Sequence, residues 1–179
     1  MGPAIVVLII VIVVALIYVS IGNKLSRAQV KIDEAESGID VALTKRYDVL
    51  TKQLDIVKGY AKHEIETLEK VIELRKGMPL AEKAAAANQM TDLQNRINVV
   101  AEAYPELRSS ENFRTLQNAV TDAEEHLQAA RRAYNANVSV FNQMLVTFPS
   151  SVVANQRRLE RREFFEAEEA KKADVKMEF

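Results

Sequence analysis

Eighteen residues without a charge, Ala4 to Ile21, constrain this chain more than anything else in it. As a helix rising 1.5 Å per residue they span about 27 Å, close to the hydrocarbon thickness of a bilayer. Ala4, Leu8, Val11, Leu16 and Ile21 mark the length of the expected membrane anchor. A cleaved leader would need a basic stretch before the apolar run and small residues at its end. Isoleucine and valine instead fill the run, and Ser20-Ile21-Gly22 is a poor cleavage site, so the anchor is expected to stay. Pro3 and Val6 spoil a myristoylation signal. Lys24, Arg27 and Lys31 follow the span at once. Positive residues remain in the cytoplasm, which puts the body there and the short N-terminus outside.

From Leu25 the apolar residues change period rather than stop. Leu25, Ala28, Ile32, Ala35 and Ile39 recur at steps of three and four, the stripe of an amphipathic helix. Leu43, Tyr47, Leu50, Leu54, Val57 and Ala61 continue it after a shift of phase between Ile39 and Leu43, read as a stutter. The first helix is therefore predicted to run from the anchor to about Lys76, where Gly77-Met78-Pro79 breaks it. A second helix is predicted from Leu80 to about Ala103, ended by Tyr104-Pro105. A third runs from about Glu111 to Thr147 on the cleanest stripe in the chain: Phe113, Leu116, Val120, Ala123, Leu127, Ala130, Tyr134, Val138, Phe141, Leu145 and Phe148. A last, heavily charged helix is expected from Val152 to about Ala173, returning toward the bilayer. The fold class is all-α: a transmembrane helix continuing into the long helix of an antiparallel bundle. Residues 1–23 form the anchor, 24–154 the bundle and 155–179 a charged C-terminal helix or tail.

Composition narrows the chemistry. The net charge of −1 gives no bulk bias toward nucleic acid, and the absence of cysteine removes thiolate chemistry and disulfides. A di-iron bundle would need Glu-x-x-His on two helices, but Tyr60 and Ala123 stand three residues before the two histidines, His63 and His126. No serine sits in a glycine-rich elbow, and no phosphate loop is present. The expectation is a non-enzyme with no cofactor, no metal and no small-molecule substrate.

Three polar groups remain. Asp40, Arg46 and Asp48 lie at the stutter and are read either as salt bridges or as a clamp on a partner. Gln128, Asn135 and Asn142 are seven apart on the third helix, where half-buried amides fix register or bond across a subunit interface. Arg157, Arg158, Arg161 and Arg162 precede Glu163, Glu166, Glu168 and Glu169, and are read as self-paired charge or as contacts to lipid phosphates. Phe164, Phe165 and Phe179 in this charged setting are candidate docking aromatics.

Two stretches go beyond pattern. IDVALTKRYDVL and VKGYAKHE lie within Ile39–Glu64, and YPELRSSENFRTLQ and RRAYNANVSVFNQMLVTFPSSVVA within Tyr104–Ala154. Together with REFFEAEEA near the end and the anchor-then-helices layout, they resemble the LemA family. The resemblance implies a cytoplasmic antiparallel helical bundle on one transmembrane helix, hence a bacterial inner membrane, and implies no agreed activity. Gln53-Leu54 stands where that family has Asn-Leu. The functional expectation is a scaffold at the lipid bilayer that forms a homo-oligomer through the first helix, because Ile39, Val41, Leu43 and Val49 cannot share one stripe. The alternative is an adaptor whose C-terminal segment binds a partner membrane protein, a protease or an envelope-stress component.

Overall fold

A computed structural model describes residues 2–60, 74 and 77–166. Its described residues form five helices: α1 (Gly2–Tyr60), α2 (Leu80–Ala103), α3 (Pro105–Ser109), α4 (Glu111–Val146) and α5 (Ser150–Gln156). The continuation of α1 to Lys76, His63 and the tail beyond Glu166 lie outside the described residues. By packing, the chain divides into two units, Met1–Glu36 with Arg132–Phe164 and Ser37–Arg131 with Phe165–Phe179.

α1 passes through the apolar stretch, Gly22 and Gly38 without a break. Its apolar N-terminal stretch is long and apolar enough to cross a membrane, and residues 2–17 of it are exposed. Beyond it, Leu25, Ile32 and Ile39 are buried at steps of seven. The expected stutter after Ile39 is not a break in that line. The next two positions at the same step are Arg46 and Gln53, and both are buried. Ala42, Leu43, Leu50 and Val57 fill the neighbouring row. Two polar residues on a continuous buried face therefore read as a phase shift.

In α4, Phe113, Val120, Leu127, Tyr134 and Phe141 are buried, also at steps of seven. Phe148, expected to extend this stripe, instead stands 79% exposed. The helix ends at Val146, and Phe148 leaves its line in the turn before α5.

The first unit holds the start of α1 and the end of α4. Asn137 Nδ2 donates to the Lys31 carbonyl at 3.2 Å, and Arg157, just beyond α5, reaches Gly22. α4 thus runs toward the apolar stretch while α1 runs away from it. The second unit holds α2 and α3 with the middle of α1 and the first part of α4. There Lys83 pairs with Asp40, and Ala87 and Thr91 with Arg46. Numbers rise together, so α2 lies alongside this part of α1 in the same direction.

The last helix is shorter than expected. α5 stops at Gln156, because Arg158 adopts φ 52°. Its N–H donates to the Asn155 carbonyl, and that of Leu159 to the Ala154 carbonyl, which together make a Schellman cap. The chain then runs without regular structure through Glu166. It leaves the level of Gly22 and reaches Asp33, moving away from the apolar stretch rather than toward it. A left-handed residue with a Cβ is strained by about 1 kcal/mol, and glycine is not. Arg158→Gly is therefore expected to raise stability by about 0.5–1 kcal/mol, read as a higher urea midpoint of the full-length protein in detergent.

Candidate functional site

The densest polar construction in the second unit is built on Arg46. α1 points this side chain inward from the buried line, and the small Ala87 of α2 lets the guanidinium approach the backbone. Nη1 donates to the Ala87 carbonyl at 3.1 Å, and Nη2 to Thr91 Oγ1 at 3.0 Å. Nη2 also stands 2.8 Å from Glu124 Oε2 on α4, a charge contact rather than an aligned hydrogen bond. Arg46 is 3% exposed. Its pKa lies below the ordinary arginine value, first through burial and then through Arg131, while Glu124 opposes the shift. Arg131 is lowered too, by burial against the pull of Glu124. The Glu124 carboxylate thus pairs with Arg46 and acts electrostatically on Arg131 as well.

One turn and a half before Arg46, Asp40 accepts an ion pair from the buried ammonium of Lys83 at 2.8 Å. Arg131 covers the ring of Phe165, with its guanidinium carbon 4.6 Å from the centroid. Phe165, expected as an exposed aromatic, is 4% exposed. Phe164 next to it remains exposed. Asp48 is exposed and does not join the cluster. What this arrangement does chemically is hold. A charge on α1 is locked to a carbonyl of α2 and a carboxylate of α4, which fixes the register of three helices. Among the described residues no group of His, Cys, Asp and Glu stands close enough to hold a metal ion.

The amide line on α4 is divided by its surroundings. Gln128 donates to Glu124 Oε1 within the same helix at 3.2 Å. Asn135 is half-buried. Asn142 grips the segment after α5 at both polar atoms: Nδ2 donates to the Arg162 carbonyl at 2.9 Å, and Oδ1 accepts the Arg162 N–H at 3.0 Å. Tyr134 Oη donates to the Glu163 carbonyl, and the Arg162 guanidinium pairs with Asp33 at 2.6 Å. Arg162 is thus matched by a carboxylate on α1.

Sequence reasoning missed Lys83, Thr91, Glu124 and Asn137 as partners, and treated Gln53 only as a departure from a motif. Gln53 is fully buried, and among the described residues neither polar atom of its amide has a hydrogen-bond partner. A usable signal was present. Arg46 and Gln53 fall seven and fourteen residues after Ile39, so extending the line would have flagged both.

The LemA family model matches residues 35–179 of the chain. Protein LemA of Metamycoplasma hominis is 29% identical over 164 residues, covering 89% of this chain and 75% of that protein. The matched region carries the Arg46 cluster, Gln53, α2, α4 and the segment that Asn142 holds, and on this evidence the chain belongs to the LemA family.

Proposed function

We propose that the protein is a non-enzymatic, single-pass membrane scaffold whose helical body lies in the cytoplasm and associates with further copies of itself through α1. The observation that carries this reading is α1 itself. A bare apolar stretch of membrane length continues unbroken as the spine of the packed body. Lys24, Arg27 and Lys31 immediately after the stretch favour the cytoplasmic side for that body. Further along the helix Ile39 and Leu43 are covered within the chain, but Val30 and Val41 are bare, Val41 at 68% exposure. They are eleven residues apart, about three full turns, and so share a face that a neighbouring α1 would cover.

Light scattering on the full-length protein in mild detergent is expected to give a mass several times that of one chain. A monomer at every concentration ends the scaffold reading. The adaptor reading draws on Phe164, exposed in a charged segment. A photo-crosslinker at Phe164 that traps a foreign membrane protein in cells, with no self-adduct, would favour it over self-association.

A further inference from the structure

The turn between α4 and α5 lies where the apolar stretch of α1 ends. Asn137 on α4 meets Lys31 on α1, and the two helices run in opposite directions. Nine residues further along α4 is Val146, and nine residues back along α1 is Gly22. Each path rises about 13 Å, so the end of α4 comes level with Gly22. Arg157, on the far side of α5, confirms the level: its Nη1 donates to the Gly22 carbonyl at 3.2 Å and to Ser26 Oγ at 3.4 Å. The fit is close, because a Cβ added at Gly22 would meet the guanidinium of Arg157. Cover from the rest of the first unit begins at Tyr18 and Ile21, which are half-buried, while the residues before Tyr18 are bare.

The twenty residues from Gly2 to Ile21 rise about 30 Å, the thickness of the hydrocarbon core, so Gly22 falls at its edge. At this level the turn presents Val146, Phe148 and Val152, all exposed, with Phe148 the barest. The two stretches that meet here, residues 18–31 and 146–158, carry Lys24, Arg27, Lys31, Arg157 and Arg158 and no aspartate or glutamate. Bare apolar side chains rimmed only by positive charge, beside the end of a membrane span, match a lipid headgroup layer: carbon below, phosphate above.

We infer that the α4–α5 turn is a second membrane contact, in which Phe148 and Val152 enter the lipid beside the span while the surrounding arginines and lysines meet lipid phosphates. The contact fixes the tilt of the first unit against the bilayer, which a single helix crossing would leave free. It rests on the reading of α1 as a membrane anchor.

The chain contains no tryptophan, so one introduced residue reports on one place. Full-length Phe148→Trp, Val152→Trp, Leu8→Trp and Val41→Trp proteins are reconstituted into phosphatidylcholine–phosphatidylglycerol vesicles with and without brominated acyl chains. Position 41 lies about 28 Å further along α1 than Gly22 and serves as the water-side reference. The expected result is several-fold quenching by bromine at positions 8, 148 and 152, with blue-shifted emission, and none at 41. Quenching at 8 without quenching at 148 and 152 overturns the inference and leaves the anchor standing. No quenching at 8 removes the anchor itself. A blue shift at 148 without bromine quenching means that protein covers the turn, which also overturns the inference.

Discussion

Arg46→Ala is expected to destabilise the protein by about 3 kcal/mol, because it breaks a buried charge pair and leaves space behind. The side chain is almost wholly buried and bonds two helices besides its own. Its loss removes the guanidinium paired with Glu124, and empties the volume of a four-bond stem. Arg46→Met separates these effects. It keeps much of the stem and discards the charge together with the cost of burying it, and Glu124 retains Arg131 nearby. That variant is expected to lose no more than about half as much. Urea unfolding of the full-length protein in detergent, followed by helical circular dichroism, gives the comparison. With a slope of about 2 kcal/mol per molar, the alanine variant should unfold about 1.5 M earlier. Equal midpoints for Arg46→Ala and the parent protein would mean that the cluster does not hold the helices together.

At Gln53 the expected sign is opposite. Gln53→Met should stabilise the protein by about 1–2 kcal/mol, since an unpartnered buried amide costs about 1–3 kcal/mol and methionine has nearly the same shape. Both residues lie on one buried line, a single heptad apart, so their local helix context is similar. The difference is partners. Arg46 finds a carbonyl, a hydroxyl and a carboxylate, and Gln53 finds none among the described residues. Gln53→Glu supplies the counter-test: an unpaired charge at a fully buried position should lower the urea midpoint sharply. If methionine and glutamate shift the midpoint by similar small amounts, position 53 is not buried as described.

These two residues also show where reading the chain by periodicity fails. An apolar stripe is a count of apolar residues, and polar side chains inside it look like interruptions. The shift between Ile39 and Leu43 therefore reads as a stutter, where Arg46 and Gln53 carry the buried line of Ile39 onward. In α4 the same rule worked, because Phe113, Val120, Leu127, Tyr134 and Phe141 are all visibly core residues. It then ran one step too far, to Phe148. Unlike the five residues before it on that line, Phe148 directly precedes a proline, which disfavours helix there, and it lies beyond the end of α4 at Val146.

Charge pairing was the least legible property. Arg162 precedes a glutamate, yet its partner is Asp33, 129 residues earlier. Asp40 was singled out, but its partner Lys83 was not, since a lysine near the start of a helix gives no sign of being buried. Asn142 was marked for its position on a line of amides, and the backbone it holds could not be named from its own helix.

The sequence by itself determined what depends on neighbours along the chain. An uncharged run of bilayer length, the start of α2 after Gly77-Met78-Pro79 and the seven-residue line of α4 all follow from local transfer energies and backbone limits. Tertiary structure decided which polar groups are matched, which aromatics are covered and where the chain after α5 lies. Those outcomes depend on partners distant in sequence, and a buried polar atom is stabilised only by the particular group that meets it.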